Sequence, residues 1–272
     1  MTPLAPPTAA TARDVPAGSR RFDVADLSVS YGGRPALRGV TLPVRAGVIT
    51  AIVGPSGCGK STFLASLNRM TDLMPGCAVS GRILLDGGDI RAPGTDVVAL
   101  RRRVGMIFQR ANPFPLSIRR NLTFPLAHHG RRDRAARDAA AEAALRRVGL
   151  WAEVKDRLDE PALTLSGGQQ QRLCLARALA LDPDVLLMDE PCSALDPIAS
   201  GVVEDLVASL RGRYTIVIVT HNLAQARRIA DDVAVFWIRD GVGTLIEHGP
   251  TASAFEAPRN ELTAAYVRGI RG

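Results

Sequence analysis

Nine consecutive residues, Gly54-Pro55-Ser56-Gly57-Cys58-Gly59-Lys60-Ser61-Thr62, fit the spacing G-x-x-x-x-G-K-[ST]. Glycines at those positions let backbone N–H groups turn inward around phosphate oxygens, and a helix opening at the lysine adds partial positive charge. Lys60 is then placed to reach the β and γ phosphates of a nucleotide, and Ser61 to hold Mg2+. A second group, Asp189 and Glu190, closes the apolar run Val185-Leu186-Leu187-Met188. Open α/β sheets bind ligands at the carboxyl ends of their strands. Asp189 is therefore placed to complete the metal shell, and Glu190 to orient or deprotonate an attacking water. Alone, such a pair is an acidic cap on the next helix. Beside a phosphate loop it makes a site for phosphoryl transfer to water.

These side chains depend on particular elements. Residues 48–53 form a nearly continuous apolar run closed by glycine, as in a strand buried on both faces, and a helix is expected from Lys60. Before them, residues 22–29 and 40–44 alternate about the turn Tyr31-Gly32-Gly33-Arg34-Pro35, which predicts an antiparallel β subdomain at the N-terminal end. Residues 82–90 predict a hairpin around Asp86-Gly87-Gly88, and residues 104–108 another core strand. Between about 110 and 180 strand patterns stop and Ala-rich stretches such as 133–148 favour helix, which predicts an inserted helical subdomain. Strands return at 185–188 and 214–220, then a hairpin over 233–249 and a short helical tail. The fold class expected is α/β with a mostly parallel sheet. No internal repeat of solenoid or propeller length is present.

Composition is that of a globular chain: 272 residues, 46% hydrophobic and 22% charged, long enough to bury a core without staples. The four cysteines form no C-x-x-C pair, so neither a zinc site nor a redox motif is read and a reducing compartment is expected. No apolar run approaches the ~18 residues of a membrane span. Residues 1–20, rich in Pro, Ala and Thr, lack a signal-peptide pattern and are expected to form a disordered tail before a single domain at 21–272. The net charge of +7 is concentrated: between 101 and 137 there are ten arginines and one acid, Asp133.

The most specific stretch is Leu165-Ser166-Gly167-Gly168-Gln169-Gln170-Gln171-Arg172. It sets a serine and two glycines at the start of a helix, offering N–H groups and a hydroxyl to an anion. With the phosphate loop and the Asp-Glu strand, it makes the chain, from about Phe22 onward, resemble the ABC-transporter ATPases, a family with a P-loop NTPase core. The resemblance implies a homodimer packed head to tail, with each ATP held between one subunit's P-loop and the other's Ser-Gly-Gly segment. It assigns Ser166, Gly167, Gly168 and Gln169 to the γ-phosphate bound in trans, and Tyr31 to stacking on adenine. Gln109 matches the glutamine that touches Mg2+ and the attacking water and signals to membrane subunits. His221 matches the histidine that bonds the γ-phosphate, and Asp196, in Ser193-Ala194-Leu195-Asp196, the loop that crosses the dimer interface. Cys192 departs from the pattern, since many relatives carry Thr there.

A single ATPase domain without a spanning run implies separate membrane subunits, and the family resemblance implies that these are two transmembrane permease subunits served by an extracytoplasmic substrate-binding protein. The expected location is the cytoplasmic face of the cell membrane, as a peripheral subunit, with no nucleic acid as partner. Four stretches are similar to the ATPases of bacterial phosphate-specific importers: Leu67-Asn68-Arg69-Met70-Thr71-Asp72-Leu73, Phe108-Gln109-Arg110-Ala111-Asn112-Pro113-Phe114-Pro115, Val154-Lys155-Asp156-Arg157-Leu158, and the triple glutamine 169–171. Ala111, where relatives often show Pro, departs from that likeness, as do 119–125 and 239–244. An importer for polar amino acids or another oxyanion is the alternative within the class. A soluble ATPase of the family acting on nucleic acid or ribosomes is the alternative outside it, and a small-molecule P-loop kinase has no reason to carry residues 165–172. The arginines at 101–137 read as one patch docking near an acidic membrane surface, with a solvated helical face as the plainer reading.

Overall fold

The computed structural model describes residues 19–270. The tail expected at 1–20 lies outside the described residues except at Ser19 and Arg20, the latter being the first residue of strand β1. Strands β1 (Arg20–Tyr31) and β2 (Arg34–Arg45) form the expected antiparallel hairpin across Gly32 and Gly33. Strand β3 (Ile49–Val53) is buried at every position and leads into helix α1 (Lys60–Ser66). The hairpin of β4 (Cys77–Leu85) and β5 (Gly88–Asp89) turns at Asp86 and Gly87, with β4 starting earlier than the sequence indicated because residues 77–80 pair with β1. Helix α2 (Val97–Arg103) was not foreseen; Asp96 caps it, accepting from the N–H groups of Val98 and Ala99. Strand β6 (Val104–Ile107) follows at once.

Helices α3 (Ile118–His128), α4 (Arg134–Arg147), α5 (Trp151–Val154) and α6 (Gly167–Ala180) then intervene before strand β7 (Val185–Asp189). Helix α7 (Pro197–Ser209), strand β8 (Thr215–Val219) and helix α8 (Leu223–Ile229) come next. A hairpin of β9 (Asp232–Arg239) and β10 (Val242–Pro250) and helices α9 (Thr251–Glu256) and α10 (Glu261–Val267) end the described chain.

All ten strands form one sheet in the order β5-β4-β1-β2-β10-β9-β3-β8-β7-β6. From β9 to β6 the pairings are parallel, and the N-terminal strands pair antiparallel. The C-terminal hairpin is the joint: β10 lies parallel to β2 and antiparallel to β9, fusing the N-terminal strands to the parallel core. Period-two alternation sorts the core strands between two apolar clusters. Ile49, Ala51, Val53, Leu186, Met188, Ile216 and Ile218 face the helical side, while Ile52, Val185, Leu187, Val217 and Val219 face Phe63 and the N-terminal strands. That double covering explains the unbroken apolar runs in the sequence. Because β3, β6, β7 and β8 run parallel, the loops after them emerge at one edge, bringing residues 54–62, 109, 189–190 and 221 together.

The single arginine patch is corrected. Folding brings acids from elsewhere to it: Arg103 pairs with Asp86 and Asp184, Arg119 with Asp138 and Asp159, and Arg134 with Asp138. Arg101 donates instead to the carbonyls of Asn68 and Arg69. Arg102, Arg110, Arg120, Arg131 and Arg132 stay exposed, without an ion pair among the described residues.

Candidate active site

Residues 54–62 leave β3 and enter α1. Lys60 is 7% exposed. Its ammonium donates to the carbonyls of Gly54 and Pro55, each at 2.8 Å, and lies 3.9 Å from the Cys58 sulfur. No carboxylate is hydrogen-bonded to it among the described residues, so the loop holds a buried cation whose partners are two carbonyls and the Cys58 sulfur. A polyanionic phosphate fits such a cradle. The loop is also clamped from behind. At Gly54 (φ 143°) an added Cβ would fall 2.1 Å from the carbonyl oxygen of Phe236 on β9, and at Gly243 on β10 it would fall 2.2 Å from that of Cys58. The Gly54 N–H donates to the Tyr266 hydroxyl of α10 at 3.2 Å. The Tyr31 hydroxyl, at the end of β1, donates to Thr62 Oγ1 at 3.5 Å, so its ring stands beside the loop and half-buried.

Across from the loop, the Ser61 hydroxyl donates to Asp189 Oδ1 at 3.1 Å. Burial pushes the Asp189 carboxyl above the usual carboxylate range; Glu190 adds to the rise, while the Ser61 bond and Lys60 oppose it. A desolvated carboxylate beside a hydroxyl oxygen suits a hard cation. Among the described residues no three His, Cys, Asp or Glu side chains gather as a metal cage. The donor set thus fits Mg2+, which binds through one or two side chains and shares the rest of its shell with water and phosphates.

Glu190 follows with φ 44°, a left-handed conformation that costs a non-glycine residue energy and clusters at functional sites. The turn holds it there: its N–H donates to the Val219 carbonyl at 3.0 Å, and its own carbonyl accepts from the Ser193 N–H and hydroxyl. Two side chains converge on the same carboxylate oxygen. Gln109 Nε2 donates to Glu190 Oε2 at 3.2 Å, and His221 Nδ1 lies 3.1 Å from it. A cavity of about 190 Å³ opens beside them, lined by Glu190, Cys192, Ser193 and His221 among others, a size suited to water rather than a nucleotide.

Among the described residues the Ser166 segment makes no hydrogen bond to residues 54–62, Asp189 or Glu190. Ser166 caps α6 in a reciprocal box with Gln169, whose amide also donates to Glu153 Oε2 at 2.8 Å. At Gly168 a Cβ would sit 2.9 Å from the Ala199 side chain, so the start of α6 packs closely on α7. Asp196 caps α7, accepting from Ile198 and Ala199 N–H groups at 3.0 Å. Just beyond it, Ile198 is 82% exposed, with Val202 one turn on also exposed.

Sequence reasoning missed what secures this region. Asn121, fully buried on α3, accepts from the Phe114 N–H at 2.7 Å and donates to the carbonyls of Phe114 and Ser117. Arg177 on α6 stacks over the Phe114 ring at 4.3 Å and donates to the Asn112 carbonyl. These contacts tie the Asn-Pro-Phe-Pro stretch after Gln109 to the helix that Ser166 caps. An unusual Asn in an apolar helix face was the one available signal.

Residues 37–193 match the family described as ABC transporter. The chain belongs to that family. It is 61% identical, over 92% of its length and 90% of the relative's, to the phosphate import ATP-binding protein PstB 1 of Nitrosococcus oceani. With phosphate import ATP-binding protein PstB of Mycolicibacterium smegmatis the identity is 52%, over 93% of this chain and all of the relative. Among solved structures, CbiO1 from Clostridium perfringens, part of the ABC transporter complex CbiONQ, superposes with a TM-score of 0.74 at 29% identity, covering 92% of this chain and 95% of that one. The fold is that of an ABC ATPase with a mixed ten-stranded sheet. As a member of the family the chain binds ATP and works with transmembrane partners. Among the described residues no helix is long and apolar enough to cross a membrane.

Proposed function

We propose that this chain is the ATP-hydrolysing subunit of an importer for inorganic phosphate, bound to the cytoplasmic face of the cell membrane. Its partners are a second copy of itself, two transmembrane permease subunits and an extracytoplasmic substrate-binding protein. The observation that carries the catalytic reading is the convergence of Gln109 and His221 on one oxygen of Glu190, beside Asp189, Ser61 and the buried Lys60. The phosphate reading rests on the high identity to phosphate import ATP-binding proteins.

Lys60 leaves the Gly54 and Pro55 carbonyls for the β and γ phosphates of ATP, while backbone N–H groups of residues 56–62 cradle those phosphates. Ser61, Asp189 and Gln109 would hold Mg2+, which when bound neutralises charge on the transferring phosphoryl group. Glu190, its carboxylate fixed by Gln109 and His221, directs a water in line with the γ-phosphorus and accepts a proton from it; the P–O bond to ADP breaks and inorganic phosphate leaves. His221 also reaches the γ-phosphate. Tyr31 stacks on adenine. Ser166, Gly167, Gly168 and Gln169 act on the ATP of the partner copy, and Asp196 crosses the interface. The exposed Ile198 beside Asp196 supports a surface that a second copy covers. Closing and reopening of the dimer drives the permease subunits between access states.

Glu190→Gln keeps shape and loses the base. It should bind ATP with affinity near that of the parent and hydrolyse it about 10²-fold or more slowly. Hydrolysis at the parental rate would remove Glu190 from this role.

A further inference from the structure

We propose that Tyr266 is a positioning residue for nucleotide binding: its hydroxyl anchors the Gly54 N–H and so holds the loop in the shape that receives phosphates. The inference rests on the reading of residues 54–62 as the nucleotide loop. Tyr266 lies on α10, 212 residues from Gly54, and is 7% exposed. Its ring packs edge-on against Trp237 of β9, with centroids 5.8 Å apart and planes at 76°. The phenol is thus fixed by an element outside the loop.

Gly54 is held from both sides. Its N–H goes to Tyr266 at 3.2 Å, and its carbonyl receives the Lys60 ammonium at 2.8 Å. When Lys60 turns to phosphate, the carbonyl loses that tether, and the hydroxyl remains as the side-chain anchor of the loop's first residue. Glycine has the greatest backbone freedom of any residue, so loss of the anchor lets the loop relax toward another pairing for a buried N–H. ATP must then reverse that relaxation, and the cost appears in binding. Sequence gives no hint of this link, because the partner residue arrives only through the folding of α10 onto β9 and β10.

Tyr266→Phe keeps the ring and removes the hydroxyl. Titration of the full chain with a fluorescent ATP analogue and Mg2+ should show Kd raised about tenfold, about 1.4 kcal/mol, and KM for ATP raised alike, with kcat within about twofold of the parent. Thr263→Val is the control: Thr263 is a buried hydroxyl on the same helix with no hydrogen-bond partner among the described residues, and its removal should leave Kd unchanged. A Tyr266→Phe protein that melts earlier but binds ATP within about twofold of the parent overturns the proposal, since a structural role alone would do that. Hydrogen exchange on the parent is independent of any variant: the Gly54 amide should exchange slowly without nucleotide, and rapid exchange overturns the anchor. Lys60→Ala in the same titration separates the two readings. Binding lost there but kept in Tyr266→Phe overturns the positioning role alone; binding kept in both overturns the nucleotide loop and this inference with it.

Discussion

Cys58 sits inside the phosphate loop with no exposed surface, and burial pushes its thiol up even with the Lys60 ammonium nearby pulling the other way. Cys192, which lines the same cavity as Glu190, is pushed up to about 11, first by burial and then by the negative charge of Glu204. Only the thiolate attacks alkylating reagents, so both should be inert at neutral pH. Mass-spectrometric mapping of iodoacetamide labelling on the folded chain should find Cys58 unmodified at pH 7. Labelling of Cys192 should grow about tenfold for each unit of rising pH below its pKa. Rapid labelling of Cys58 at pH 7 would show a loop far more open than this one. At this scale the candidate site was legible where a residue type stands at a strand end: Lys60, Ser61, Asp189 and Glu190 are read from motif and position, whereas Gln109 and His221 are read only through the family resemblance. Tyr266 and Asn121 are not read at all, because their partners are chosen by packing and carry no local pattern.

Among the elements, the C-terminal hairpin does more than close the sheet. Gly243 of β10 presses on the Cys58 backbone, and both parties to that contact are main chain, so neither can rotate away. Gly243→Ala should therefore lower the melting temperature and weaken ATP binding by at least about tenfold; unchanged ATP affinity would show that β10 does not shape the loop. The start of α6 depends on Glu153, whose carboxyl is held below its ordinary range first by its bond to Arg172, with Gln169 contributing. A depressed carboxyl stabilises the fold above its unfolded pKa and loses that contribution as pH falls through the folded value. Melting curves should thus separate Glu153→Gln from the parent at pH 7 and bring them together as the pH falls below the ordinary carboxylate range; a constant gap would contradict the pairing. The parallel strands were readable from their unbroken apolar runs, and the early hairpins from glycine spacing. Helix α2 escaped because seven residues hold fewer than two periods of an apolar stripe. The pairing of β10 with β2 escaped because nothing local names a partner so distant in sequence.

In the whole molecule, charge is where reading along the chain and reading in space diverge most. Ten arginines in one stretch became several ion pairs and five exposed cations without an ion pair among the described residues once Asp86, Asp138, Asp159 and Asp184 were folded against them. Arg119→Glu should consequently cost about 1 kcal/mol of stability, since it faces two acids, while the exposed Arg120→Glu should stay within about 0.5 kcal/mol of the parent. If the exposed arginines dock the chain on its membrane partners, Arg120→Glu should lower assembly with the permease subunits without lowering the melting temperature. Equal stability loss in both variants would contradict this division. The fold as a whole brings the loop at 54–62, Asp189 and Glu190 to one edge of a parallel sheet, and the family likeness couples ATP hydrolysis to import. Labelled phosphate uptake at low external phosphate tests the coupling most directly, in cells where Glu190→Gln replaces the parent chain and no second high-affinity system operates. The expected result is assembled transporter with high-affinity uptake abolished; uptake at the parental rate would contradict it.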